Sequence, residues 1–256
     1  MRSTIRTCCL VFLILLAGIV AAAGAEDWTQ WRGADRLGVW HDEGILERFP
    51  EGGLEVVWRS PIGPGYAGPA VAAGRVFVLD WEKTAGTRTM EGTERVVALD
   101  EATGKLLWEQ SWPVGYGRLM TSYAIGPRAT PTVDGDRLYV VGAVGDLLAL
   151  DSKSGEVLWQ HDFVEEYDAL IPTWGVTSAP LVDGDLVISV AGAEPNGKFI
   201  AYDKVTGEEL WRIDLGARTM GAPMTYLHEG RQFLVVATGG TDRGAEFVAL
   251  SLPEDL

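Results

Sequence analysis

The chain has two cysteines and three histidines in 256 residues, and Asn196 is its one asparagine. Cys8 and Cys9 are adjacent and lie in an N-terminal apolar run. Everything after that run is therefore without disulfides, thiolate nucleophiles or cysteine metal sites. His41, His161 and His228 are scattered, and no two have metal-ligand spacing. No Gly-x-Ser-x-Gly nucleophile motif occurs, nor a glycine-rich phosphate loop between a strand and a helix. Positive charge is also scarce: 21 Lys and Arg against 36 Asp and Glu give a net charge of −15. Such a chain repels phosphate backbones and anionic lipid surfaces, which argues against nucleic acid as a partner. Glu165-Glu166 reads as a solvated loop, and Asp134-Gly-Asp136 and Asp183-Gly-Asp185 read as hairpin turns rather than calcium loops.

The one long apolar run, residues 8–23, follows Arg2 and Arg6 and ends at Ala23-Gly-Ala25. That order is a secretory signal peptide cleaved after Ala25, too short for a stable membrane anchor. The cysteines stand at the start of the run, not after it, so a lipid-modified N-terminal cysteine is not expected. The mature chain is expected to be secreted or periplasmic. Loss of Arg2 and Arg6 takes the formal charge from −15 to −17.

What is abundant is repetition. Ala98-Leu-Asp-Glu-Ala-Thr-Gly-Lys-Leu-Leu-Trp108 recurs as Ala149-Leu-Asp-Ser-Lys-Ser-Gly-Glu-Val-Leu-Trp159 and as Ala201-Tyr-Asp-Lys-Val-Thr-Gly-Glu-Glu-Leu-Trp211, at spacings of 51 and 52 residues. A period of about 50 residues is the length of one four-stranded propeller blade. The third unit predicts strands over 178–182, 186–191, 198–202 and 208–214, joined by turns at Asp183-Gly184, Asn196-Gly197 and 203–207. The unit from Ala129 repeats this scheme. The unit from Gly68 turns at Ala73-Gly74 and carries a polar insertion over 81–95, expected to be a surface loop. In each repeat Asp100, Asp151 or Asp203 accepts turn N–H groups, and Gly104, Gly155 or Gly207 takes the left-handed conformation. Trp108, Trp159 and Trp211 are then expected to pack on the neighbouring blade and direct their N–H groups to backbone carbonyls.

The Ala-x-Asp-x-x-Thr/Ser-Gly-x-x-x-Trp pattern resembles the pyrroloquinoline-quinone-like (PQQ-like) β-propellers. That group takes in secreted quinone-binding-like propellers, the outer-membrane assembly scaffold propeller and quinoprotein dehydrogenases. The resemblance extends to Trp28-Thr-Gln-Trp31-Arg-Gly33 at the start and to 222–250 at the end. It implies an all-β fold of four-stranded antiparallel blades with tryptophan-docking motifs, about four of them here, over residues 54–256 after an N-terminal extension of 26–53. Residues 54–60 look like a lone fourth strand, while the last unit lacks one, so the first is expected to complete the last. Relatives close with seven or eight blades. A small closed ring, a half-ring that forms a homodimer and a fragment all remain open.

For function the resemblance implies two alternatives. One is a non-catalytic binding or scaffold module. The other is an oxidoreductase, or a remnant of one, that uses PQQ with calcium, a cofactor for which the mature chain offers no cysteine and no ligand spacing. No catalytic or metal-ligating residue is assigned. The segments leading into each blade's first strand should gather at one mouth of the central channel. That would bring together Tyr66, Arg128, Trp174 and Met220, with Tyr116, Arg118 and Tyr123 from the long loop before Arg128. Aromatics with arginine suit a protein, peptide, sugar or small planar ligand.

Overall fold

The computed structural model describes residues 26–41, 44, 46–123, 125–192, 198–219, 223–240 and 244–251. The expected signal peptide, the expected turn at Asn196-Gly197 and Met220 lie outside the described residues. Two compact units are present, one holding Trp40–Leu46 and the other Asp27–Val39 with Glu47–Leu256. The second carries the fold.

Blade 1 is β1 (Ala70–Ala72), β2 (Arg75–Lys83), β3 (Glu91–Asp100) and β4 (Leu106–Gly115), paired antiparallel in that order. Blade 2 repeats it with β5 (Thr132–Asp134), β6 (Arg137–Val141), β7 (Asp146–Asp151) and β8 (Val157–Asp162). Blade 3 is β9 (Leu181–Asp183), β10 (Leu186–Ala191), β11 (Lys198–Asp203) and β12 (Glu209–Asp214). In blade 4, β13 (Arg218–Thr219) and β14 (Met224–His228) pair with one edge of β15 (Arg231–Gly239), and β16 (Glu246–Ser251) pairs with the other. One short helix, α1 (Phe163–Tyr167), follows β8 and is capped by the Asp162 side chain, which accepts from Val164 N and Glu165 N. The repeats thus fold as propeller blades, and the cores lie between them. Phe77 and Val96 of blade 1 pack with Leu138 and Leu150 of blade 2. Tyr139 and Trp159 of blade 2 pack with Ile200 and Tyr202 of blade 3.

The 11-residue motif explains the seams. Asp151 Oδ1 accepts from Lys153 N (3.0 Å), Ser154 N (2.7 Å) and Ser154 Oγ (2.8 Å), which closes the turn. Those bonds hold its carboxyl below the usual carboxylate range, as the equivalent bonds do for Asp100 and Asp203. Gly155 follows at φ +77°, with the Trp108 ring laid so close that a Cβ would stand 2.5 Å from it. Trp108 Nε1 donates to Ser152 O at 3.2 Å. Trp159 does the same to Lys204 O at 3.3 Å, over Gly207. Each tryptophan faces the small alanine of the motif across the ladder, Trp108 opposite Ala98 and Trp159 opposite Ala149, where the register shifts by a bulge.

Four expectations are corrected. Residues 54–60 form no strand and complete no blade; Trp58 instead lies over Gly104, its Nε1 2.9 Å from Glu101 O. The supposed surface insertion is largely ladder: Asp80 to Lys83 pair with Arg95 to Gly92, leaving a loop over 84–90. Asp80 is fully buried there and takes a bidentate bond from Arg95 at 2.8 Å. Glu165-Glu166 belongs to α1, with Glu166 Oε2 2.7 Å from His161 Nδ1. Trp211 is 43% exposed, unlike its two counterparts.

Candidate functional site

The mouth is assembled by backbone bonds between the segments that lead into the first strands. Tyr66 N and Ala67 N both donate to Pro127 O (2.8 and 3.1 Å), tying the approach to β1 onto the approach to β5. Met120 N donates to Thr173 O at 2.7 Å, which ties the connection after β4 to the approach to β9. Residues 27–30 add a further strap: Val71 N of β1 donates to Trp28 O and Val133 N of β5 to Thr29 O, each at 2.8 Å. The strap crosses to blade 4, where Arg36 Nη1 meets Pro223 O at 3.5 Å. Gly33, at φ +80°, folds the strap back against the Trp28 ring. The strap is therefore bonded to the edges of β1 and β5 that β2 and β6 leave free.

Of the seven residues assigned to this rim, the structure gathers four. Tyr66 and Tyr123 lie nearly parallel (centroids 6.4 Å, 13°), and Trp174 stands edge-on to Tyr123 at 6.1 Å. These three are 50%, 77% and 52% exposed. Arg128 donates to Gly126 O (3.0 Å) and Met120 O (3.4 Å), which fixes its guanidinium at the mouth. A cavity of about 470 Å³ opens beside them, lined by Trp31, Tyr66, Arg128, Thr130 and Thr177 with Gly68 and Ala179. Trp31, Thr130 and Thr177 were not foreseen. The two threonines sit in the Ala-Thr-Pro and Thr-Ser-Ala-Pro strings whose recurrence marks the approach segments, and that was the available signal. Trp31 arrives from the strap, which has no repeat to announce it.

Arg118 is exposed and is not among the cavity's lining residues. Tyr116 is not at the rim at all. It is 1% exposed, stacked on Trp81 at 5.2 Å, and its hydroxyl donates to Glu94 Oε1. The extension of the β2–β3 ladder builds this pocket between blades 1 and 2. Glu94 is fully buried, also accepts from Ala143 N at 2.9 Å, and turns Oε2 toward Gly142, where a Cβ would stand 2.1 Å away. Burial pushes its carboxyl up to about 7 against the opposing effect of those two hydrogen bonds. Burial, reinforced by the charge of Asp162, likewise raises Asp146 to about 6. Below neutral pH the seam thus favours a protonated acid at Glu94.

A family profile described as "Outer membrane protein assembly factor BamB" matches residues 42–189, more than half of the chain. The chain belongs to the PQQ-like β-propeller family. A second profile, "Glucose/ethanol/alcohol dehydrogenase, beta-propeller domain", matches residues 167–234 of this PQQ-like propeller. Quinohemoprotein alcohol dehydrogenase ADH IIB of Pseudomonas putida is 29% identical over 231 residues, which cover 83% of this chain and 31% of that protein. BamB of Kangiella koreensis is 32% identical over 117 residues, 46% of this chain and 26% of that one. The crystal structure of quinohemoprotein alcohol dehydrogenase from Comamonas testosteroni superposes with a TM-score of 0.58 at 18% identity, over 85% of this chain and 36% of that one, and shares the fold. The propeller here spans about a third of the length of the quinohemoprotein it matches.

That family implies a quinone held with calcium, and the residues at this mouth do not fit one. Calcium takes six to eight oxygen ligands, carboxylates prominent among them. The cavity wall has no carboxylate and no amide side chain. Asp80, the buried acid of β2, is committed to Arg95 and to Gly63 N (2.6 Å). Among the described residues no group of three or more His, Cys, Asp or Glu side chains converges.

Proposed function

We propose that this PQQ-like propeller is a non-catalytic binding or scaffold module of an exported compartment, and that it recognises its partner at the channel mouth. The observation that carries the reading is the convergence of Tyr66, Tyr123 and Trp174, half or more exposed, from three separate connections held together by backbone hydrogen bonds. Large aromatic side chains on a rigid frame, with an anchored arginine beside them, are the composition of recognition hot spots. Export rests on the leader of residues 1–25; among the described residues no helix is long and apolar enough to cross a membrane.

The test is capture of displayed random peptides and a glycan panel by the full chain, with and without Tyr66→Ala and Trp174→Ala. Capture that both substitutions reduce supports the mouth as the binding surface; capture indifferent to them overturns it. A quinone-dependent oxidoreductase, or part of one, is the second reading, favoured by the extent of the match to the Pseudomonas putida quinohemoprotein. Titration with the quinone and calcium, followed by dye reduction with alcohols, decides between them: turnover would replace the first reading by the second.

A further inference from the structure

Resting on that reading of the mouth, we propose that its ligand class is a neutral oligosaccharide, with pyranose rings lying on the exposed aromatic faces and their hydroxyls meeting Arg128, Thr130 and Thr177. Four features of the cavity select this class. First, the aromatic faces are presented outward rather than as a slot. Tyr66 and Tyr123 are already in contact with each other, and Tyr123 with the edge of Trp174, at separations of ordinary ring pairs. A molecule with one C–H face and a polar rim can lie across them, and that is the shape of a pyranose.

Second, an extended peptide has no backbone to pair with here. The free edges of β1 and β5 are each bonded to the strap, through Val71 N to Trp28 O and Val133 N to Thr29 O. Strand addition, by which an extended peptide gains affinity from its main chain, is therefore hindered at β1 and β5. Third, the polar side chains in the wall are the hydroxyls of Thr130, Thr177 and Tyr66, which both donate and accept, and the Arg128 guanidinium and Trp31 indole, which donate through N–H groups. A ring of ligand hydroxyls matches that set; an ammonium group would find no carboxylate in the wall. Fourth, the chain's charge of −15 opposes polyanions, so a neutral chain of sugars is favoured over an acidic one. The volume of about 470 Å³ falls in the range of about 300–1,000 Å³ usual for small-molecule sites and admits a short stretch of a longer chain.

The experiment is calorimetric titration and tryptophan fluorescence of the full chain with cellohexaose, chitohexaose and mannohexaose, with hexagalacturonate as the acidic comparison. We expect saturable binding of at least one neutral hexasaccharide and weaker binding of hexagalacturonate. Tyr66→Ala and Trp174→Ala should each weaken the neutral ligand by about tenfold or more, the loss of one hot-spot side chain. Trp211→Ala, an exposed tryptophan on another face, should leave it unchanged. Where either mouth substitution disturbs folding, Tyr123→Ser serves in its place, since that residue is the most exposed of the three. No binding of any neutral hexasaccharide, or binding that survives the mouth substitutions, overturns the assignment. Failure with sugars while peptide capture stays sensitive to Trp174→Ala removes the ligand class alone; insensitivity of every probe removes the mouth reading as well.

Discussion

The seam between blades 2 and 3 and the seam between blades 3 and 4 are written in the same repeat, yet one is sealed and the other is a groove. At the first, Trp159 is 8% exposed and its indole N–H reaches Lys204 O over Gly207. Tyr139 Oη donates to the same carbonyl at 2.9 Å, Lys204 Nζ pairs with Asp134 at 2.9 Å, and His161 Nε2 sits 2.8 Å from Gly207 O. At the second, Trp211 is 43% exposed beside an opening of about 1170 Å³, with Leu210, Phe233 and Leu250 in its walls. Its strand pairs as well as its counterparts do, with Trp211 opposite Ala201 and the same bulge. The residues after Ser251, where the matching turn would come, lie outside the described residues. Strand pairing places both indoles, and at the first seam the turn of the next blade adds the seat that removes Trp159 from water.

The sharpest way to break the comparison is to truncate the two tryptophans in turn. Trp159→Ala should cost about 3–5 kcal/mol in urea unfolding, as large-to-small changes at buried aromatics do. An equal loss from Trp211→Ala would abolish the distinction between sealed and open seams. The seat can be broken from the other side. Gly207→Ala puts a Cβ 2.6 Å from the Trp159 ring at φ +75°, and should cost about 2–4 kcal/mol from the clash and the backbone conformation together. Gly230→Ala, at φ +78° with nothing within 4 Å, isolates the conformational part at about 1 kcal/mol.

Fold and site were legible to different degrees. The blades could be read because their signals are local: a period, an Asp-x-x-Thr/Ser-Gly turn and apolar strands between. The mouth could be read in part because Tyr66 and Arg128 sit at equivalent points of the repeat, three residues before Pro69 and Pro131, where the next unit has Thr177 before Pro180; Trp174 lies three residues earlier in the same approach segment. Tyr116 could not be placed, since its burial comes from a β2–β3 ladder that runs on through residues whose polarity suggested a loop. Glu94 was hidden for the same reason: in sequence it is one more charge in a polar stretch, and only the approach of blade 2 encloses it. Residues 27–39 carry no periodicity, so nothing local could tell that they reach three blades.

A sealed seam can also hold a proton, which sharpens the comparison from the side of blades 1 and 2. Folded Glu94 keeps its proton up to about pH 7, whereas unfolded it would release it near 4.5. Its contribution is therefore complete below about pH 4.5 and fades as pH rises to 7, an effect of about 3 kcal/mol. Glu94→Gln keeps the neutral shape and should flatten that slope, leaving the variant more stable than the parent at pH 8; urea midpoints from pH 5 to 8 measure it. An unchanged slope would mean that the pocket admits water. The smallest effect is expected at the open seam, where Trp211→Ala should change stability by less than about 1 kcal/mol, because the side chain is already in contact with solvent.

The strap has a consequence for the order in which the molecule can be made. Its partners arrive late: Thr29 needs Val133, and Arg36 needs Pro223, a separation of 187 residues. The earliest part of the domain to be synthesised is thus among the last to find its place, since contacts at such separation form slowly. Until the approaches to blades 2 and 3 exist, Trp31 has no finished surface to lie against, and a chain emerging N-terminus first must carry it unsheltered while the rest is produced.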